Sequence, residues 1–303
     1  MTASAPLVSV GLPVYNGEVF LARALESLLA QDFSDFEIVI CDNASRDKTE
    51  EICRSYAERD SRVRYHRNQE NIGLAGNFNR TFELSRGAYF KWAAHDDWHA
   101  PESLRLSVGA LQKHPDAVLC ATGVSIVDEN GSEIGTWTPN PDFATPNACR
   151  RTRLLLKTLG ETHPMYGLLR SESLAKTHLV HAYVGSDRTM LTELSLLGPM
   201  ATVQQKLHYY TVSAIARRNY RPSLHYDPNN DGKLPLRTWR LIRQHLGVVR
   251  RSALSPHEKL LVAGTVLKRF GIRDFRRLTA ETYYSAMMLT TRLLSRNRTN
   301  PAQ

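Results

Sequence analysis

Four aspartates, three just after apolar runs and one where a helix should open, are the side chains of this 303-residue chain best placed for polar chemistry. Asp42 directly follows Phe36-Glu37-Ile38-Val39-Ile40-Cys41, and Asp96 and Asp97 follow Ala88-Tyr89-Phe90-Lys91-Trp92-Ala93-Ala94. Asp187 stands in Tyr183-Val184-Gly185-Ser186-Asp187-Arg188, where a helix is expected to begin. Adjacent carboxylates in a cleft disfavour joint ionisation. A divalent Mn²⁺ or Mg²⁺ relieves that conflict, because both ions prefer carboxylate and phosphate oxygens. The same ion would bridge the phosphates of a nucleotide sugar and stabilise the diphosphate as it leaves. Asp187 would take a proton from an attacking hydroxyl. Asp42 would accept from the imino N–H of a pyrimidine base or from a ribose hydroxyl. Each has a plainer alternative: a polar turn for Asp96-Asp97, a turn cap for Asp42 and a helix N-cap for Asp187.

In open α/β sheets, ligands bind beyond the carboxyl ends of strands, so the elements before these aspartates matter most. The first 125 residues alternate strand and helix signals, the pattern of a largely parallel sheet. Leu7–Leu12 reads as a strand stopped by Pro13, and Phe20, Leu21, Ala24, Leu25, Leu28 and Leu29 repeat at helical spacing. Strands are expected at Phe36–Cys41, Arg62–His66, Ala88–Ala94 and Ala117–Thr122, with helices at Lys48–Glu58 and Leu74–Ser85. Pro101 fits the first turn of a further helix. Asp128–Asn147 reads as a loop or irregular hairpin, and helices follow around Arg151–Leu159 and Asp187–Leu197. Beyond Gly232 the pattern is helical: Leu236–Val249, Pro256–Phe270 and Leu278–Leu294.

Together these segments resemble the family 2 glycosyltransferases of the GT-A fold. The resemblance is carried by Val8-Ser9-Val10-Gly11-Leu12-Pro13-Val14-Tyr15-Asn16, Ala30-Gln31-Asp32-Phe33 and Asp42-Asn43-Ala44-Ser45-Arg46-Asp47. Asn71-Ile72-Gly73-Leu74-Ala75-Gly76-Asn77-Phe78-Asn79, Gly87-Ala88-Tyr89 and His95-Asp96-Asp97-Trp98 follow in the family's order, and the likeness covers residues 7–215. It implies an α/β protein with a mostly parallel central sheet flanked by helices and a basic helical C-terminal extension. The implied division is a GT-A domain over 1–232, nucleotide-binding in 1–125 and acceptor-binding in 126–232, followed by the extension over 233–303. The implied activity is a metal-dependent, hexosyltransferase-like, inverting transfer from a UDP-, dTDP- or GDP-sugar to a hydroxyl of a glycan or lipid-linked acceptor. Cell-surface polysaccharide or glycolipid synthesis is the implied setting. By the same resemblance Pro13, Val14 and Tyr15 line the base pocket with Asp42 on the base. Asn71 and Gly73 approach ribose or diphosphate, Asp96 touches ribose or sugar, Asp97 holds the metal and Asp187 is the catalytic base. Two departures stand out: Ala94 occupies the first position of the family's Asp-x-Asp-Asp, and Ser186 stands where an acid often precedes the base. Arg217, Arg218 and His225 are alternative partners for the diphosphate.

The four cysteines, Cys41, Cys53, Cys120 and Cys149, form no metal-ligand spacing, which suits a reducing cytoplasm. No run approaches the roughly 18 apolar residues of a membrane span, and the first residues lack the basic and apolar regions of a signal peptide. The net charge of +9 is lopsided, since residues 233–303 hold 15 of the 39 Lys and Arg but 3 of the 30 Asp and Glu. Basic residues there alternate with Trp239, Leu241, Ile242, Leu246, Leu267 and Phe270, which suits peripheral contact with the inner face of the plasma membrane. A bundle completing the core, or a homodimer contact, is the alternative. Nucleic-acid binding is disfavoured, because no stacking-aromatic array accompanies the charge. A sugar-phosphate nucleotidyltransferase would want a Gly-rich basic loop after the first strand, and Leu12–Glu18 is not one.

Overall fold

The computed structural model describes residues 5–158, 162–212, 236–272 and 274–283. Its centre is a nine-stranded sheet. The first half supplies β1 (Val8–Val14), β2 (Phe36–Asp42), β3 (Val63–Arg67) and β4 (Tyr89–Trp92), followed by the short β5 (Trp98–His99). The second half supplies β6 (Leu119–Val127), β7 (Glu133–Trp137), β8 (Leu168–Arg170) and β9 (Met200–Thr211). Spatial order is β3-β2-β1-β4-β8-β6-β9-β5, with β7 paired to β6. The first four strands are parallel, as the alternating strand and helix signals predict. Farther on, β8 runs antiparallel to both β4 and β6, whereas β9 runs parallel to β6.

Strand periodicity divides the core between the two faces. On β1, Val8, Val10, Leu12 and Val14 face α1 (Leu21–Leu29), α2 (Thr49–Arg59) and α4 (Ser103–Lys113) in one apolar cluster. On β4, Phe90 and Trp92 belong to a second cluster with α5 (Ala148–Thr158) and α7 (Ser186–Leu197). Helix α3 (Gly73–Glu83) approaches that face closely because Gly11 lacks a side chain: a Cβ there would lie 2.5 Å from Thr81 Oγ1. A one-turn helix, α6 (Ser171–Leu174), follows β8.

The basic extension is helical where described, with α8 (Arg237–Arg251), α9 (Pro256–Val266), a π-helical turn over Leu267–Ile272 and helical residues 275–283. Helix α9 starts at a capping box, in which Ser255 and Glu258 exchange side-chain and backbone bonds. Leu241, Ile242 and Val249 of α8 and Val262 and Val266 of α9 enter the same cluster as α5 and α7. No helix among the described residues is long and apolar enough to cross a membrane.

Some expectations change. Strand β1 runs through Pro13 to Val14. Pro13 shares the side of Gly11, whose pairing with Trp92 is the last register on the β4 edge, so the missing N–H costs no ladder bond. Pro101 precedes α4, whose N-cap is Glu102. Asp128–Asn147 contains the hairpin strand β7 and a 3₁₀ turn, Pro141–Ala144. Strands β5, β8 and β9 lie outside the strand signals of the sequence. The helix expected over Leu278–Leu294 is described only to residue 283.

At the amino end of the sheet, buried Glu37 gathers β1, β3 and the lead into β4. It accepts from Ser9 Oγ at 2.7 Å, Arg64 Nη1 at 2.8 Å and Arg86 Nη2 at 2.6 Å. Burial pushes its pKa up, but the bonds from Arg86, Ser9 and Arg64 outweigh burial and leave it below 4.5. A depressed folded pKa contributes stability that is present above the unfolded value and lost as pH falls through the folded one. Glu37→Gln should therefore cost about 1–3 kcal/mol at neutral pH, with the cost shrinking as pH falls below 4.5. Urea midpoints for both proteins across that range check this, and a pH-independent difference would contradict it.

Candidate active site

The loops that leave β1, β2 and β3 are tied together by asparagines. Asn43 donates to Asn71 Oδ1 at 2.8 Å and accepts from Ile72 N at 2.9 Å and Asn68 Nδ2 at 3.1 Å. Asn77, buried on α3, accepts from Asn68 at 2.9 Å and donates to Cys41 O at 2.8 Å. Asn71 also receives the Gly73 amide at 2.9 Å, and Gly73 takes the positive φ of 77° that starts α3. Asn16 and Ala44, at φ 52° and 61°, hold the first two loops in left-handed turns. There Ser45 Oγ accepts from Asn16 N at 2.9 Å, and Asp47, one residue ahead of the α2 N-cap Lys48, accepts from Thr49 N at 3.1 Å. Strained backbone of this kind persists only where surrounding bonds over-determine it.

Asp42 lies inside this knot. Its carboxylate is fully buried and accepts from Ser45 N at 2.8 Å and Tyr65 Oη at 2.9 Å, with Arg67 Nε at 3.8 Å. It serves as the turn cap, and Tyr15, 39 % exposed, is the open side chain of the Pro13-Val14-Tyr15 run, whose first two members are buried.

Beyond β4 the two adjacent aspartates separate in environment. Asp97 is 2 % exposed, with Oδ1 accepting from Thr211 N at 2.8 Å and Oδ2 2.8 Å from His208 Nε2. Burial, then the neighbouring Asp96 charge, raises the Asp97 carboxyl well above the usual range. Burial and Lys91 hold His208 well below its usual value. Asp96 turns its backbone carbonyl to Arg23 Nη2 at 3.1 Å and to Thr211 Oγ1. Arg23 stacks over Trp98, 4.0 Å from the ring centroid, so α1, β5 and β9 all fix this turn. Behind it, buried Lys91 donates to the Tyr166 carbonyl, and desolvation lowers its pKa to about 8.

Asp187 opens α7 and accepts from Arg188 N at 2.9 Å. Tyr166 locates it relative to the other acids. The Tyr166 phenol is pushed well above its ordinary pKa, first by burial, then by Asp97, Tyr210, Asp96 and Asp187. Arg217, Arg218 and His225 lie outside the described residues.

A divalent ion fits here as one shared with substrate. Among the described residues no three His, Cys, Asp or Glu side chains are grouped to cage an ion. Asp97 would supply the hard oxygen, its Oδ2 already 2.8 Å from His208 Nε2, and Mn²⁺ or Mg²⁺ held by so few protein groups would complete its shell with phosphate and water. His208, Thr211 and Arg23 escaped the sequence reading. The polar run Gln204-Gln205-Lys206 masks the period-2 signal of β9, and Arg23 resembles any polar residue on an amphipathic helix.

A family model described as glycosyl transferase family 2 matches residues 9–177, more than half of the chain. A putative glycosyltransferase of Bacillus subtilis, EpsE, is 36% identical over 142 residues, which are 46% of this chain and 51% of that protein. An uncharacterized glycosyltransferase of Rickettsia typhi is 32% identical over 141 residues, 46% of this chain and 43% of its own. The match to an uncharacterized glycosyltransferase of Rickettsia felis covers 21% of that protein, so the chain spans a fifth to a half of these relatives. Among solved structures, Staphylococcus aureus TarS 1-349 in complex with UDP-GlcNAc aligns over 86% of this chain and 72% of that one, with TM-score 0.67 and 19% identity. The fold is therefore shared.

Proposed function

The chain belongs to glycosyl transferase family 2, and from that premise we propose that it moves a sugar from a nucleotide-diphosphate donor to an acceptor hydroxyl with inversion. The observation that carries this reading is the acidic turn after β4, where buried Asp97 meets His208 and Thr211 of β9. Asp187 takes the proton of the acceptor hydroxyl. The oxygen then attacks the anomeric carbon from the side opposite the diphosphate, and the old glycosidic bond breaks with its electron pair on the departing phosphate. Asp97, with His208 beside it, would hold Mn²⁺ or Mg²⁺, which offsets the charge on that leaving group.

On the donor side, Tyr15 would face the base, while Asp42 shapes the loop beneath it. Asn71 and Gly73 would present the start of α3 to ribose or diphosphate, where helix N–H groups favour anions. The donor would be a UDP-, dTDP- or GDP-sugar, in keeping with a fold that in TarS accompanies a complex with UDP-GlcNAc. Thermal-shift titration with UDP, dTDP, GDP and their sugars, with and without Mn²⁺, tests this. One nucleotide series should raise the melting temperature more with Mn²⁺ than without, and the absence of stabilisation by all of them would overturn the reading.

A cytoplasmic location is part of the same reading, and four cysteines that are buried and free of disulfides are compatible with it. The exposed Trp239, Leu267, Ile272 and Phe275, among basic neighbours, support contact with an anionic membrane surface carrying a lipid-linked acceptor. A homodimer through the same helices is the competing use of that surface.

A further inference from the structure

The loop that carries Asp187 is packed directly against the C-terminal helices. Gly185 holds φ 89°, and a Cβ there would lie 3.2 Å from Leu241 Cδ1 on α8. Between them opens a cleft of about 540 Å³, walled on one side by Asp187 and on the other by Arg237, Leu241 and Arg277. Asp274 and Glu281 also line it, but both carboxylates are already engaged. Glu281 accepts from Thr238 N at 2.9 Å and Thr238 Oγ1 at 2.8 Å, closing the first turn of α8. Asp274 lies 3.6 Å from Arg269 Nη1. Arg277 precedes Glu281 by four residues on one helical run, so both face the start of α8 where Arg237 stands. Neither Arg237 nor Arg277 has a carboxylate partner among the described residues. Two exposed guanidinium groups, neither in an ion pair among the described residues, therefore border the proposed base on a wall they share with Arg188, Asp274 and Glu281.

We propose that this cleft takes an acceptor bearing a phosphate or diphosphate, gripped by Arg237 and Arg277 while the reacting hydroxyl faces Asp187. The assignment rests on Asp187 as the base. A phosphate monoester carries close to two negative charges and offers oxygens in the geometry that guanidinium forks match. A neutral sugar hydroxyl would leave both arginines unanswered. The helices beyond residue 232 thus choose the acceptor, while the donor end of the sheet handles the nucleotide.

The test is a ligand-observed NMR titration of the full chain with N-acetylglucosamine 1-phosphate and with N-acetylglucosamine, at fixed UDP and Mn²⁺. Wild type should bind the phosphorylated sugar at least ~10-fold more tightly. Arg237→Gln/Arg277→Gln should lose that preference while keeping its unfolding midpoint, and Asp187→Asn should keep the preference. No preference in wild type, or its survival in the double variant, would overturn the proposal. Co-sedimentation with phosphatidylglycerol vesicles supplies the second arm. If the double variant loses vesicle binding but still prefers the soluble phosphate, the arginines serve lipid headgroups and the acceptor assignment fails. Should Asp187→Asn transfer at the wild-type rate while the double variant loses its preference, the base reading fails and the anion site stands.

Discussion

Asp187→Asn should lower sugar transfer by about 10²–10⁴-fold while leaving donor affinity within a factor of about two. The magnitude is that of general-base assistance to a hydroxyl that is weakly nucleophilic on its own. Asparagine keeps the size of the side chain and can still accept the Arg188 amide through its carbonyl, so the start of α7 need not move. What it cannot do is take a proton. Turnover and donor binding are to be measured on the same preparation, so that loss of one without the other separates chemistry from folding. Transfer near the wild-type rate would remove Asp187 from the reaction.

The second large effect is expected at Asp97. Asp97→Asn should abolish the gain in donor affinity that Mn²⁺ provides, a loss of ~10–100-fold, comparable to the effect of disturbing a metal's immediate surroundings. Asparagine is the informative replacement because the site is buried. Its carbonyl accepts from Thr211 N, and its amide can donate to a neutral His208, so both present bonds survive. Asp97→Ala would instead strand the Thr211 amide and the His208 ring, at about 1–3 kcal/mol for each buried group left without a partner. Calorimetric titration of the donor nucleotide with and without Mn²⁺, beside a melting curve, distinguishes the variants. Equal affinities under both conditions in wild type, or an unchanged Mn²⁺ effect in Asp97→Asn, would defeat the assignment.

Where a short apolar run ended in an acid, the sequence was easy to read. Asp42, Asp96 and Asp97 are legible because β2 and β4 are buried on both faces and spell near-continuous hydrophobic stretches. Asp187 is legible because Gly185 and Ser186 punctuate the chain before a helical period. The second half of the sheet resisted for physical reasons. Strand β8 is only three residues long, and β9 carries Gln204, Gln205 and Lys206 in an exposed middle that erases its alternation. Pro13 misled by its usual meaning, since a proline is harmless at a register where the neighbouring strand has already ended. The partners of Asp97 were invisible for a different reason. Thr211 and His208 meet it across more than 100 residues, and one sequence records no such pairing. The asparagine knot was likewise present only as scattered letters, because Asn43, Asn68, Asn71 and Asn77 acquire their meaning through bonds to one another.

The match to the family stops at residue 177, yet Leu241, Ile242, Val249, Val262 and Val266 are interleaved with Leu155, Met190 and Leu194 in one apolar mass. A chain cut after β9 would be left with a raw oily flank. A foreign tail grafted there would inherit that flank and have to fit it, side chain for side chain. Altering the inward face of these helices therefore means repacking α5 and α7 with them.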